Sequence, residues 1–331
     1  AAPQASIDVT INKAATTVTW SPTNTSVLTT DSPVTPDASP TVSTGGGAVS
    51  YSIADAGGSE CKVGSSSGVI SFTRSGACQV TATAAETDNY QSASATVTFT
   101  ITKATQMITF GSLTDQEFGT GPYAISGSTD ATDLLLSFST TTPTVCSVTG
   151  GTSLVGGNTP AAVSLLATGT CTIVASQTGN DIYAAATDIS QDFTITQGTQ
   201  ATLSFSSPTN ATYGQAFTLQ TIGGSGTGAI TYSVTSAGTA NCAVNSSTGE
   251  LTFTSSGNCD LQAVKAGGGA YADATATKTM TINRAPQFTT ITTTVPPNPL
   301  PGGLYRVTAT ASSGLTPTLM ILGGAGTVCS I

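Results

Sequence analysis

The sequence contains no histidine, one tryptophan and three methionines, and only 8% of its 331 residues carry a charge. Without imidazole, Ser-His-Asp and Cys-His nucleophilic systems are excluded, and so are most catalytic zinc sites. Cations are few: 8 lysines and arginines stand against 17 acids, for a net charge of −9, and they are scattered along the chain. Nucleic acid and anionic membrane surfaces both require concentrated positive charge, so neither is expected as a partner. No apolar run approaches the ~18 residues that suggest a membrane-spanning helix. No intact signal peptide is present, and Ala1-Ala2-Pro3 suits either a signal-cleavage end or an arbitrary cut.

What is abundant is threonine, serine, valine and isoleucine, with glycine and asparagine set between short apolar runs. β-Branched residues favour strands, and glycine and asparagine favour turns. No amphipathic helical stretch stands out, so the chain reads as all-β. Its length fits about two to four domains.

Internal comparison divides the chain. Ile11-Asn12-Lys13-Ala14 recurs at Ile101-Thr102-Lys103-Ala104, Ile195-Thr196-Gln197-Gly198 and Ile282-Asn283-Arg284-Ala285, at spacings of 90, 94 and 87 residues. A fixed period of this kind marks a repeat architecture. The cysteines keep the same beat: Cys61, Cys146, Cys242 and Cys329 fall 45–50 residues after the isoleucine, and Cys78, Cys171 and Cys259 fall 64–70 after it. Tyr90, Tyr183 and Tyr271 each follow the second cysteine by 12 residues. The runs beginning at Gly68, Ala161 and Gly249 align, with Ile70, Val163 and Leu251 in one apolar column and Ala82, Ala175 and Ala263 in another. Alternation by two places one face of each strand inward. Gly76, Gly169 and Gly257 stand between the two apolar runs of each copy, which suggests a hairpin turn. Several short strands per copy, separated by turn signals, form the pattern of a β-sandwich.

On the repeat length, the Gly-x-Cys-x-(Val, Ile, Leu)-x-Ala run and the threonine-rich last strand, the chain resembles the bacterial immunoglobulin-like repeats of large surface proteins and adhesins. The expected architecture is tandem immunoglobulin-like sandwiches arranged as an elongated rod. Residues 1–13 form the last strand of a preceding repeat or an N-terminal extension. Residues 14–103, 104–197 and 198–284 are repeats 1 to 3, the second carrying an inserted hairpin, and 285–331 is an incomplete fourth repeat. The in-step cysteines predict disulfides Cys61–Cys78, Cys146–Cys171 and Cys242–Cys259, each a staple near one end of its sandwich, and leave Cys329 unpaired within these residues. Disulfides imply an oxidising compartment, so the expected location is extracellular or on the cell surface.

Other candidates for chemistry reduce to structure. Asp88 and Asp181 precede Tyr90 and Tyr183 by two residues, but Gly269 takes that place in the third copy, so no catalytic carboxylate set recurs. Calcium held between domains by Asp31, Asp37, Asp115 or Glu117 lacks the Asp-x-Asp-x-Asp-Gly loop. Lys13 and Lys103, candidates for an intramolecular Lys–Asn crosslink, become Gln197 and Arg284 in later copies, which suits solvated strand-end residues. The three tyrosines are expected to pack on their own sandwiches, and Trp20, which aligns with Phe110, to lie in a core. Asn24-Thr25-Ser26, Asn210-Ala211-Thr212 and Asn245-Ser246-Ser247 fit the N-glycan acceptor pattern, which arises readily by chance in so hydroxyl-rich a chain.

No catalytic residue, cofactor or metal site is therefore expected. The function expected is that of a non-catalytic stalk or spacer in a secreted or cell-surface protein. A self-assembling filament or surface-layer subunit is one alternative, and a glycan- or host-protein-binding module the other. The expected partners are copies of the chain itself, laterally or end to end, or other cell-surface components; no ligand can be named. From Ile101 to Phe110 there is neither glycine nor proline, which predicts near-continuous strand from one repeat to the next.

Overall fold

The computed structural model describes residues 3–131, 134–155, 157–294, 296–298 and 300–322. Cys329 lies outside them. The chain divides into two compact units, residues 1–197 and 198–331. Both are built of strands; the only helical element among the described residues is the single 3-10 turn Thr29–Asp31.

The first unit holds two separate cores. One is built from residues between Trp20 and Ile101, with Ile70, Cys78, Val80, Ala82 and Phe99 at its centre. The other runs from Phe110 to Ile195, around Leu136, Val163, Cys171, Ile173 and Ala175. The second unit has one core, from Ala211 to Ile282, around Leu219, Leu251, Leu261 and Met280. Each core is clasped between two layers of strands, and the three are variations on one immunoglobulin-like plan. These apolar columns are the alternating positions expected of strands with one buried face.

The larger layer of each sandwich has the same four-stranded order. In the first, Ser26–Leu28 runs parallel to Ala93–Thr102, which pairs antiparallel with Gly76–Ala84, and this with Val49–Asp55. The second repeats the order with Gln116–Glu117, Ile189–Thr196, Gly169–Ser176 and Ser137–Thr140. The third uses Asn210–Thr212, Ala274–Asn283, Gly257–Lys265 and Ile230–Ser236. The opposing layer is fragmentary in the first sandwich, where Val18–Thr19 pairs with Thr41–Val42 and Lys62–Val63 with Ile70–Ser71. In the second it is a full sheet of Cys146–Gly150, Thr159–Leu165, Tyr123–Thr129 and Ile108–Thr109. The extra residues between Cys146 and Cys171 lengthen the hairpin of Cys146–Gly150 with Thr159–Leu165.

Two local expectations are corrected. The glycine before each second cysteine does not close a hairpin. Ile70–Ser71 and Gly76–Ala84 lie in different sheets, as do Thr159–Leu165 and Gly169–Ser176, and Glu250–Phe253 and Gly257–Lys265. The turn carries the chain from one layer to the other. Gly76, Gly169 and Gly257 have φ of 146°, 133° and 142° there, a region costly for any residue with a Cβ. A Cβ on Gly76 would lie 2.7 Å from the Gly57 carbonyl oxygen. Second, strand character is interrupted between repeats: Ala93–Thr102 ends before Lys103, and pairing resumes at Ile108–Thr109. Between them Ala104 is drawn into a parallel bridge with Tyr183.

At the ends, residues 5–13 belong to no strand, and Ile7, Val9 and Ile11 are 85%, 76% and 90% exposed. In the corresponding strand of the first sandwich, Phe99 and Ile101 are 1% and 2% exposed. Among the described residues of 285–322 there is one strand pair, Thr289–Ile291 with Ala309–Ala311.

Candidate functional site: the cross-layer bonds and loop clamps

The recurring chemistry of this chain is structural, and it concentrates at the layer-crossing turns. Cys78, Cys171 and Cys259 are each the third residue of their strand. Their partners lie in the opposing layer: Cys146 and Cys242 open strands there, and Cys61 immediately precedes Lys62–Val63. Each bond ties the two sheets together just after the glycine turn has separated them. Cα–Cα separations are 6.0, 5.8 and 6.2 Å, within the usual disulfide range. All six half-cystines are buried. The bond is set near the strand start, and it also crosses the core from layer to layer.

A second recurrent device, invisible in the cysteine count, anchors the opening segment of each repeat. The residue after the strand-end Lys or Gln forms a parallel bridge to the tyrosine loop: Ala14 with Tyr90, Ala104 with Tyr183 and Gly198 with Tyr271. Ala14 N donates to Asn89 O and Ala14 O accepts from Gln91 N, at 2.8 and 2.9 Å. In all three repeats the bonds of this bridge are made by the backbone groups on either side of the tyrosine, Asn89 O and Gln91 N, Ile182 O and Ala184 N, and Ala270 O and Ala272 N.

Two residues further on, the second and third repeats bury a glutamine. Gln106 Nε2 donates to Ala184 O at 2.7 Å, while Oε1 accepts from the Thr129 hydroxyl at 2.9 Å. Gln200 Nε2 donates to Lys265 O at 2.9 Å and Ala272 O at 2.7 Å, and Oε1 accepts from Gly226 N at 2.9 Å. A side-chain amide has enough donors and acceptors to satisfy three backbone groups at once. The first repeat has Thr16 in this place, buried, with its hydroxyl unpartnered among the described residues. The recurrence of Gln106 and Gln200 at one repeat position is the signal the sequence carries for this site, although glutamine matches no catalytic or metal-binding pattern.

Replacing Gln200 by leucine keeps the volume and strands these polar groups in a dry site. Unsatisfied buried hydrogen-bonding groups cost ~1–3 kcal/mol each. Calorimetry of Gln200→Leu should show a transition of the third sandwich lowered by several degrees, with the fluorescence transition of Trp20, in the first sandwich, unmoved.

The aromatic residues complete the cores. Trp20 packs against Tyr51, Phe110 against Phe138 and Phe205 against Tyr232, with ring centroids 5.6, 5.3 and 6.4 Å apart. Trp20 is buried and its Nε1 donates to Ala38 O at 2.8 Å. Edge-on and tilted pairs of this kind add to area burial.

The acidic candidates are engaged locally. Asp31 Oδ2 accepts from Leu28 N at 2.8 Å, Asp37 Oδ1 from Thr23 N at 2.8 Å, and Asp115 Oδ1 from Thr194 N at 2.7 Å. The Thr23 hydroxyl, donating to Asp37, holds that carboxyl below the usual aspartate range. No group of three or more metal-ligating side chains is present among the described residues. Lys13 pairs with Glu86.

One cation turns inward. Lys278 occupies the place of Val97 and Gln191 in the earlier repeats, by its pairing opposite Leu261. Its ammonium donates to Ser207 O and lies 5.6 Å from the centre of the Phe205 ring, and partial burial lowers its pKa.

Among the described residues no helix is long and apolar enough to cross a membrane. No protein-family model matches the chain, and no curated protein matches its sequence. Solved structures do. It is similar to mouse cadherin-23 EC22-24, at 14% identity and a TM-score of 0.30, over 77% of this chain and 93% of that one. It is similar to the human desmocollin-1 ectodomain at 10% identity and 0.29, over 82% and 60%. To domains 4 and 5 of the S-layer protein SbsC the values are 13% and 0.26, over 46% and 74%. The immunoglobulin-like assignment stands on the sheets, cores and cross-layer bonds of this chain itself.

Proposed function

We propose that the chain is a stalk or spacer segment of a secreted or cell-surface multi-repeat protein, of the bacterial immunoglobulin-like type, with no catalytic role. The observation that carries this reading is the threefold recurrence of one small sandwich, each with its own core and its own cross-layer disulfide. A spacer needs repetition, resistance to unfolding and a surface without adhesive patches. Here 8% charge, with a small acidic excess, and a wealth of hydroxyls leave a sparsely charged, hydrated exterior. The disulfides support an oxidising location.

A filament or surface-layer subunit is the second reading, favoured by the exposed, alternating apolar residues Ile7, Val9 and Ile11. An extended strand with one apolar face is suited to complete a neighbouring sheet. The binding-module reading draws less support, because most of the paired aromatics, Trp20, Phe110, Phe138, Phe193 and Phe205 among them, belong to the three cores.

Electron micrographs of the purified protein separate these readings. The stalk reading predicts single rods on the order of 100 Å for three sandwiches, from strands of about ten residues at ~3.3 Å each. Ordered fibres or sheets would replace it with the second reading, and compact particles would refute both.

A further inference from the structure

Within the first unit the two sandwiches meet through a contact that is more than an uninterrupted chain. Thr29, at the start of the 3-10 turn that follows Ser26–Leu28, is buried. Its hydroxyl accepts from Ala104 N at 3.2 Å and donates to Ile182 O, which also accepts from Ala104 N at 2.9 Å. One side chain of the first sandwich thus joins the connecting segment and the tyrosine loop of the second. Beside it, Ser75 N donates to Asp181 O at 3.3 Å. Arg74 Nε lies 3.4 Å from Asp181 Oδ2, and its Nη2 3.4 Å from Glu60 Oε1. Glu60 is held in turn by the Thr73 hydroxyl at 2.7 Å.

These groups sit at the layer-crossing turn of the first sandwich, and the internal repeat shows what stands in their place elsewhere. Thr29 lies two residues beyond Val27, which pairs with Ile101; the matching pairs are Gln116 with Ile195 and Ala211 with Ile282. The equivalents of Thr29 are therefore Phe118 and Tyr213, and those of Arg74, counted back from the second cysteine, are Ala167 and Ser255. Neither later copy offers a β-carbon hydroxyl at the first position or a guanidinium at the second.

We propose that Thr29 and the Arg74–Asp181 pair form a polar lock that fixes the joint between the first two sandwiches, so that they bear load as one body. Most of the effect belongs to Thr29. Its bonds are shielded from water, whereas the ion pair is half-exposed, and exposed pairs contribute little. The lock deepens the stalk reading by naming a stiff joint, and the two fail separately: rods in micrographs would survive a loose joint, and a tight joint would survive the discovery of sheets.

Amide hydrogen exchange on the full chain tests it. In the unaltered protein the Ala104 and Ser75 amides should be protected well beyond exposed loop amides. Thr29→Val keeps the shape and removes the hydroxyl. It should speed exchange at both by about tenfold, matching the loss of roughly one net hydrogen bond, and leave Val80 and Ile173 in the two cores unchanged. Arg74→Ala, a surface change that leaves both cores intact, should speed Ser75 by a smaller factor. Loop-like exchange at Ala104 in the unaltered protein would overturn the proposal. So would unchanged rates in Thr29→Val, or equal acceleration throughout the first core, which would make Thr29 a support of its own sandwich and not of the joint.

Discussion

Replacing Cys61 and Cys78 together by alanine lowers the stability of the first sandwich by about 3 kcal/mol, the scale for releasing a loop of roughly this length in the unfolded chain. The bond closes 17 residues. A sandwich of some ninety residues has of the order of 5–13 kcal/mol in all, so the loss is a large fraction of the total. It is sharpened by geometry. The glycine turn sends the chain across the sandwich, and in the first repeat the opposing layer consists of two-residue strands. Little backbone pairing is left to hold Lys62–Val63 and Ile70–Ser71 against the core once the bond is gone. The second repeat closes 25 residues, worth only about 0.3 kcal/mol more by loop entropy, and its opposing layer is a full four-stranded sheet. The first repeat should therefore be the more dependent on its disulfide. The chain supplies its own reporter: its single tryptophan, Trp20, lies in the first core. Urea unfolding followed by Trp20 fluorescence should show the shift in the Cys61/Cys78 variant and none in a Cys242/Cys259 variant.

Phe99→Ala should cost about 3–5 kcal/mol, the range for emptying a fully buried phenylalanine site. Phe99 is 1% exposed, stands opposite Cys78 in the sheet, and lies 6.2 Å from the Trp20 ring. Its neighbours are a disulfide and a rigid indole, which collapse poorly into a void. The matching sites hold Phe193 and Met280, both buried. Met280→Ala should fall in the lower part of the 2–5 kcal/mol range, because a flexible thioether core relaxes more readily. The check for Phe99→Ala is the same urea titration, in which Trp20 should unfold at much lower denaturant.

Much of this organisation is written in local pattern. The recurrence of the segment that begins at Ile11, Ile101, Ile195 and Ile282 marks the boundaries between cores, because burying alternate side chains in a sandwich imposes a period on the sequence. The inward columns Ile70, Val163 and Leu251, and Ala82, Ala175 and Ala263, are legible for the same reason, since alternation is a direct imprint of the pleat. What the pattern does not carry is partnership between layers. The apolar runs on either side of Gly76 look like the arms of a hairpin, because each alternates and a glycine stands between them. Only the φ of that glycine and the pairing of each run show that the chain crosses the core instead. Gln106 and Gln200 were equally hidden, since a buried amide acts through backbone carbonyls more than sixty residues away, and no spacing rule records these. The break at Lys103–Met107 has the same origin: strand propensity favours continuation, but the bridge of Ala104 to Tyr183 wins.

The account depends on each repeat closing on itself. Peptide mapping of the protein digested without reduction tests this most directly. It should recover three linked pairs, joining Cys61 to Cys78, Cys146 to Cys171 and Cys242 to Cys259. A bond between cysteines of different repeats, or six free thiols in protein purified under oxidising conditions, would contradict it.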